Sequence, residues 1–358
     1  MKSDSRTSLK DVAERCGVSY ATVSHILSGK PHYKFKKETV ELVLKVAREM
    51  NYRPNAYASA LRNQENRLIL CVVGDCCRHS DVEHLKLLEY ELGKRNYNLL
   101  IQFLVDLPEK MKIDFLERMI NMPAGIAIWS LGVREEENLK RFCKLFDNAP
   151  PSLSLSIPFP GSKIDYIKIR WGGASCAKAA EFFASRGYKR VCCCCTSVEK
   201  RIAGAFIETA GKYDMHASVH AIPGGNRNYF EGALPAVKTI LSAPELLQAI
   251  YCTSDEMAFV VIEEFRAAGI RVPEDVFILG GGDSAFAGYF HKPLPILVHD
   301  ASLLCRTAAD FLVSKIENGE NCTGTGRCVA EIDCAIREGN KDNFKIVFPI
   351  NSKKGEMQ

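Results

Sequence analysis

Apolar positions in the first fifty residues recur every three or four places. Leu9, Val12, Ala13 and Cys16 form one stripe, which predicts a short amphipathic helix. Ser8 stands where a cap belongs, and Asp11, three residues on, completes a capping box. Gly17 falls where the helix must end in a tight turn with positive φ. Ser19 then caps a second helix, with Val23, Ile26 and Leu27 facing inward. Its outward face carries Tyr20, Ala21, Ser24 and His25. A further stripe of Val40, Val43, Leu44 and Ala47 predicts a third helix over Lys37 to Met50. Two short helices about a glycine turn, the second with a polar outer face, are what a recognition helix in a major groove requires.

The pattern changes at Leu68. Short apolar runs of strand length now alternate with helical stripes. Leu68 to Val73, Asn98 to Leu104, Gly125 to Trp129, Ser152 to Ile157 and Ile164 to Ile169 read as strands. A helix carrying Leu85, Leu88 and Leu92 and another at Phe115 to Ile120 lie between them. The second half repeats the theme, with strands at Arg190 to Thr196, Ala249 to Cys252 and Val276 to Gly280. Its helices are Ala174 to Arg186, Arg201 to Tyr213, Leu234 to Leu241, Glu256 to Ala268 and Leu303 to Asn318. One short strand at Val329 to Ile336 closes the chain. Such alternation predicts an α/β module of two lobes with parallel sheets, periplasmic-binding-protein-like, in which ligands bind between the lobes at strand C-terminal ends.

Of the 358 residues, 47% are hydrophobic and 25% charged, as in a soluble globular protein of two or three domains. Met1 to Arg6 hold no apolar run, and Leu68 to Val73 is far too short to span a bilayer, so a cytoplasmic protein with no membrane partner is expected. Residues 1–62 hold twelve Lys/Arg against six Asp/Glu, a net of +6, which leaves −2 for the rest of a chain whose total is +4. The basic excess therefore coincides with the helix-turn-helix. The 15 cysteines are an odd count in a chain without export signals, which argues against a disulfide scaffold. Cys192 to Cys195 read as a buried strand, with a metal or redox site as the alternative. Neighbours on a strand point to opposite faces, whereas zinc sites use spaced pairs. Cys76-Cys77-Arg78-His79 is a second possible ligand group.

The N-terminal stretch resembles the DNA-binding domain of the lactose/galactose repressor family. The matching residues are Leu9-Lys10-Asp11-Val12-Ala13, Gly17-Val18-Ser19, Ala21-Thr22-Val23-Ser24, Leu27-Ser28-Gly29, Glu38-Thr39, Asn51-Tyr52-Arg53-Pro54-Asn55 and Ala58-Ser59-Ala60-Leu61. The resemblance continues, more weakly, through Gly187-Tyr188-Lys189-Arg190-Val191, Arg201-Ile202-Ala203-Gly204, Ser254-Asp255-Glu256-Met257-Ala258 and Cys334-Ala335-Ile336-Arg337-Glu338. It implies a helix-turn-helix domain over 1–53, a hinge helix and linker over 54–66 and a two-lobed effector-binding and dimerisation domain over 67–358.

It also implies roles. Tyr20, Ala21 and His25 lie at base-reading positions. Ser19, Thr22 and Ser24 can reach phosphates through their hydroxyls, at a helix N-terminus that favours an anion. His25 stands where the family more often has Arg, and one imidazole cannot offer the bidentate fork that Arg offers guanine. Asn55, Ala58 and Leu61 belong to the hinge that folds when two copies meet in the minor groove, with Leu61 as the wedge between base steps. Arg201 and Asp255 match effector contacts. A guanidinium and a carboxylate facing across a cleft suit the vicinal hydroxyls of a sugar. Trp171 either stacks on a sugar face or fills the cleft. Three segments depart from the family pattern: Arg170-Trp171-Gly172-Gly173, Gly280-Gly281-Gly282-Asp283, which has one acid fewer, and Leu294-Pro295-Ile296-Leu297.

The expected protein is a homodimeric transcriptional regulator that binds double-stranded operator DNA under control of a small molecule, a sugar. The rivals are a constitutive DNA binder whose cleft has lost its sugar and a sugar-binding or enzymatic protein on the same fold. Gly280 to Gly282 lack the G-x-G-x-x-G spacing of a dinucleotide site, and no P-loop, HExxH or GxSxG occurs. No catalytic group, cofactor or metal is expected.

Overall fold

The computed structural model describes the chain except residues 1–6, 28–34, 53–65, 75–78, 156, 198, 223–228, 243–244, 283–286, 288–292, 323, 339–344 and 349–358. The expected hinge residues Asn55, Ala58 and Leu61, and Cys76-Cys77-Arg78, lie outside the described residues. The chain divides into two compact units, Met1–Arg67 and Leu68–Gln358.

The first unit holds α1 (Leu9–Cys16), α2 (Tyr20–Leu27) and α3 (Lys37–Glu49). The capping box forms as the sequence predicts. Asp11 N–H donates to Ser8 Oγ, and the Asp11 carboxylate accepts from Ser8 N–H at 2.7 Å. These bonds hold the Asp11 carboxyl below its ordinary value. Gly17 ends α1 at φ 62°, with its N–H turned back to the Glu14 carbonyl. Leu9, Val12, Ala13, Val23, Val43, Val46 and Ala47 meet in one small core, with Ile26 and Leu27 packed at its edge. Burying each larger side chain contributes about 1.5–3 kcal/mol, so few substitutions here are tolerable. The stripe of α3 differs from expectation in one place. Val46 is buried and Leu44 faces outward; 43, 46, 47 and 50 keep the same helical spacing as the expected stripe but are rotated round the helix towards the core.

The second unit is built on two sheets. The first has order β11-β5-β4-β3-β1-β2 and is parallel throughout. Its strands are β1 (Leu68–Val73), β2 (Asn98–Phe103), β3 (Gly125–Trp129), β4 (Ser152–Ser154), β5 (Asp165–Ile169) and β11 (Cys328–Ile332). Helices α4 (His79–Gly93), α5 (Glu109–Met119) and α6 (Glu136–Leu145) connect them. The second sheet has order β13-β12-β10-β9-β8-β6-β7. It comprises β6 (Arg190–Thr196), β7 (His216–Ile222), β8 (Ala249–Cys252), β9 (Phe277–Gly281), β10 (Ile296–His299), β12 (Cys334–Glu338) and β13 (Lys345–Phe348). It is parallel except for β12 and β13, which run antiparallel to their neighbours. Helices α7 (Gly173–Ser185), α8 (Lys200–Lys212), α9 (Tyr229–Leu241) and α10 (Asp255–Ala267) belong to this sheet, and α11 (Ala301–Glu317) returns to the first.

The chain passes between sheets three times: after β5, after β10 and between β11 and β12. The last crossing corrects the expected single strand over Val329 to Ile336. Asp333 divides it, so that β11 lies in one sheet and β12 in the other. The crossings are tied together. Arg170 N–H donates to the Ile332 carbonyl (2.8 Å), and Cys334 Sγ to the Arg170 carbonyl (3.3 Å). Each sheet has a core on both faces, which is why its central strands are apolar without alternation.

The cysteine run lies on β6, fully buried. Cys192 and Cys194 face one core with Cys252, and Cys193 and Cys195 face the other with Cys176. They pack as small apolar residues, and burial pushes the Cys192 thiol well above its ordinary value. Among the described residues no group of three or more His, Cys, Asp or Glu is placed to hold a metal ion.

Candidate nucleic-acid interface and ligand cleft

The start of α2 is built by two hydroxyls. Thr22 N–H donates to Ser19 Oγ at 3.1 Å, and the two hydroxyl oxygens lie 2.9 Å apart. The first turn of α2 carries no acidic residue, so the positive end of the helix is left to an external anion. Tyr20 is 43% exposed and Ala21 and Ser19 are exposed, while Ser24 and His25 are half-buried on the same helix. One face of α2 therefore packs on α1 and α3 through Val23, and the opposite face offers an aromatic ring and small side chains to a partner. At the start of α3, Lys36 makes no side-chain cap, as a lysine must not, and Lys37 has only a 4.0 Å pairing with Glu41. Both lysines remain available to phosphates.

Arg201 and Asp255 occupy the second lobe together, which corrects the expectation that they face each other across a cleft. Arg201 is on α8, after β6, and Asp255 opens α10, after β8; β6 and β8 are neighbours in one sheet. Arg201 is exposed, and among the described residues no carboxylate pairs with it. Asp255 is 1% exposed. Ser254 caps its helix by accepting from Met257 N–H at 3.1 Å. Beside them Glu199 joins the two strand ends: its Oε2 accepts from Thr253 Oγ1 at 2.7 Å and from Thr196 Oγ1 at 3.0 Å.

The glycine run explains how a carboxylate is accommodated there. A Cβ at Gly280 would stand 2.5 Å from Asp255 Oδ1, and one at Gly282 would stand 2.9 Å from Oδ2. Where the related pattern has an acid at 282, this chain has open space filled by Asp255. Gly281 is constrained differently. Its Cβ would stand 2.8 Å from the Cys252 carbonyl oxygen and 2.9 Å from the Thr253 backbone, none of which can yield. Gly281→Ala is therefore expected to lower stability by about 1–3 kcal/mol, as overpacking does. Chemical denaturation would read this as a lower midpoint at unchanged slope, and an unchanged midpoint would show that β8 and β9 can part.

Sequence reasoning missed an aromatic column at the crossings. His84 of α4 stacks on Trp129 of β3, with centroids 5.4 Å apart, and on His299 at the end of β10, at 4.8 Å and 13° between planes. Trp171, which follows β5, meets His299 edge-on at 5.9 Å. Trp171 is half-buried, with His299 as its ring contact. The only sequence signal was a histidine ending an apolar strand beside an acidic cap.

A separate cavity of about 650 Å³ lies at the other ends of β9 and β10, lined by Ile262, Val272, Phe277 and Leu294 with Arg266 and Arg271. Both arginines are committed, to Glu263 at 3.0 Å and to Asp275 at 2.5 Å, and the second pairing holds the Asp275 carboxyl down to about 2.

These features define a class: a helix-turn-helix DNA-binding protein carrying a periplasmic-binding-protein-like module. The chain belongs to the lacI family of bacterial regulatory proteins, whose model matches residues 8–55, and a periplasmic binding protein-like domain matches residues 180–330. Its relatives are transcriptional repressors. The HTH-type transcriptional repressor PurR of Vibrio atlanticus (strain LGP32) is 24% identical over 87% of this chain and 93% of its own length. The ribose operon repressor of Haemophilus influenzae is 23% identical over 92% and 97%, and the HTH-type transcriptional repressor CytR of Escherichia coli (strain K12) 24% identical over 94% and 97%. Among solved structures, the lac repressor dimer bound to operator and the anti-inducer ONPF superposes with TM-score 0.72 at 17% identity, covering 96% of this chain and 99% of that one. The regulator CelR in complex with cellobiose superposes with TM-score 0.60 at 19% identity, covering 92% and 98%. No helix among the described residues is long and apolar enough to cross a membrane.

Proposed function

We propose that this chain represses transcription as a homodimer on a near-palindromic operator, without catalysis, and that a sugar bound between the lobes sets its affinity. The observation that carries the reading is the outer face of α2, with its hydroxyl-capped, acid-free first turn and exposed Tyr20 and Ala21. A two-fold dimer presents two such helices, so the operator inherits the symmetry. Tyr20, Ala21 and His25 read base edges; Ser19, Thr22 and Ser24 hold phosphates. The relatives named for ribose and the neighbour solved with cellobiose support a carbohydrate effector. Arg201 and Asp255 serve as its contacts from the second lobe. Selection of bound duplexes from random sequence, with and without a sugar panel, tests the proposal. Failure to enrich any inverted repeat would sink it.

A second reading has its own observation. Asp255 is enclosed by the glycine run, and the aromatic column occupies the lobe junction, both of which suit a regulator that has given up its sugar. The same selection then yields one operator whose occupancy no sugar alters.

The hinge gives a further expected result. Leu61→Gly should cost specific affinity a few kcal/mol, the energy of the wedge, while leaving phosphate-driven binding to random DNA nearly intact. Equal loss on both duplexes would show that Leu61 does not enter the minor groove.

A further inference from the structure

We propose that the stacked pair His84–His299 is a proton-binding site that opens the two lobes on acidification. The pair joins α4, which packs with the first sheet, to the last residue of β10 in the second sheet, one residue before the chain crosses back into α11. The stack thus sits on the crossings about which the lobes turn. Trp129 covers the other face of His84, and Trp171 closes His299 from the side.

The closed stack cannot hold an imidazolium. His299 Nε2 is buried and has no hydrogen-bond partner among the described residues. A proton there would make a buried N–H without an acceptor, beside a second imidazole that repels the charge. The surroundings offer little compensation. The neighbouring strand β9 ends in glycines, and β12 sets Cys334 opposite His299. Asp300 is engaged in capping α11, accepting from Leu303 N–H at 2.8 Å. On α4, Asp81 stands one turn before His84; from α11, Cys305 Sγ reaches the His84 carbonyl at 3.3 Å. At the other two crossings Asp333 pairs with Lys178 at 3.6 Å, and Arg170 is an exposed cation, which adds repulsion rather than compensation. Burial and the adjacent His84 accordingly push the His299 imidazole down to about 3.

Opening the lobes exposes His299 to water, where an imidazole titrates near ~6.5. The sign follows. Above that pH both conformers bind no proton and acid has no effect; as pH falls below it, only the open conformer gains a proton. Between pH 7 and about 5.5 the open-to-closed ratio should rise roughly eightfold by linkage. A consequence for DNA affinity rests on the regulator reading above; the opening itself does not.

The chain's two tryptophans are both in this column, so fluorescence excited selectively at tryptophan, apart from the 12 tyrosines, reports on it. In a pH titration of the full-length protein, fluorescence is expected to change reversibly below pH ~6.5 while far-UV dichroism stays native. Small-angle scattering should show a larger radius over the same range. His299→Gln, which keeps a polar side chain and cannot titrate there, should abolish both changes. A wild type that stays silent while native down to the acid limit of its fold overturns the proposal, as does an identical transition in His299→Gln. Should that variant not fold, His84→Gln decides: with the repelling ring gone the closed conformer accepts the proton more readily, so the transition must shrink or move to lower pH, and an unchanged transition overturns the proposal. None of these readouts uses DNA or sugar. A chain that opens with acid yet binds no duplex defeats the regulator reading alone, and one that binds an operator but never opens with acid defeats this proposal alone.

Discussion

Raising the salt from about 50 to about 200 mM is expected to weaken binding of the full-length chain to its selected operator by about a thousandfold or more. The charge is concentrated where this requires it: residues 1–62 carry a net +6 in a chain whose total is only +4. Each phosphate neutralised releases condensed counterions and adds about −0.9 to the log–log slope, so a dimer making seven or eight such contacts reaches that loss. The geometry adds contacts that salt screens less. Backbone N–H groups at the start of α2, with Ser19 and Thr22, would bind a phosphate through dipoles, not through net charge. Lys36 and Lys37 supply the mobile charges. Lys36→Ala with Lys37→Ala should therefore flatten the slope by up to about four in a dimer while leaving the ranking of operators unchanged, since phosphate contacts carry no sequence information. A slope near zero for the wild type, measured by fluorescence anisotropy across salt, would remove DNA as the partner.

Legibility in the sequence followed burial and locality. The helix-turn-helix was readable to the cap because Ser8, Asp11, Gly17 and Ser19 act within four residues of themselves. Strands β1, β3 and β6 were readable because burial on both faces makes them continuous apolar runs. Edge strand β7, His216–Ile222, is half-exposed and carries no continuous apolar run to mark it. Helix α6 opens on charged residues and buries only Asn138 and Phe142, too few for a stripe. The single expected strand at the end became two because nothing in Val329 to Ile336 signals a change of sheet except Asp333, whose role depends on Lys178 far upstream. The candidate site shows the same limit. Arg201 and Asp255 were singled out by a family resemblance, but that they share one lobe follows from the order of β6 and β8, and the His84–His299 stack from the meeting of segments distant in sequence. The three glycines looked like a lost acid; their purpose is visible only once the Asp255 carboxylate is seen in the space they leave.

Asp255→Ala should cut the response of operator affinity to a sugar by about tenfold or more without unfolding the protein. Ser254 alone caps α10 through Met257 N–H, so the helix keeps its start when the carboxylate goes. What disappears is the charged acceptor that a sugar hydroxyl would use, a carboxylate buried against Gly280 and Gly282. If the sugar shifts operator affinity about a thousandfold, it must discriminate between two conformers by roughly 4 kcal/mol, and one charge-assisted bond contributes about 1.5–3 of these. By reciprocity the operator must change sugar affinity by the same factor, so titration calorimetry with and without the duplex measures the coupling twice. His25→Ala is the converse control. It should weaken specific DNA binding and leave sugar affinity unchanged, because the ring belongs to the other unit. Wild-type sugar affinity and wild-type coupling in Asp255→Ala would show that the carboxylate is structural and the cleft closed to sugar. The regulator would then be constitutive with respect to sugars, and acid opening at His299 the remaining route by which its lobes respond to the cell.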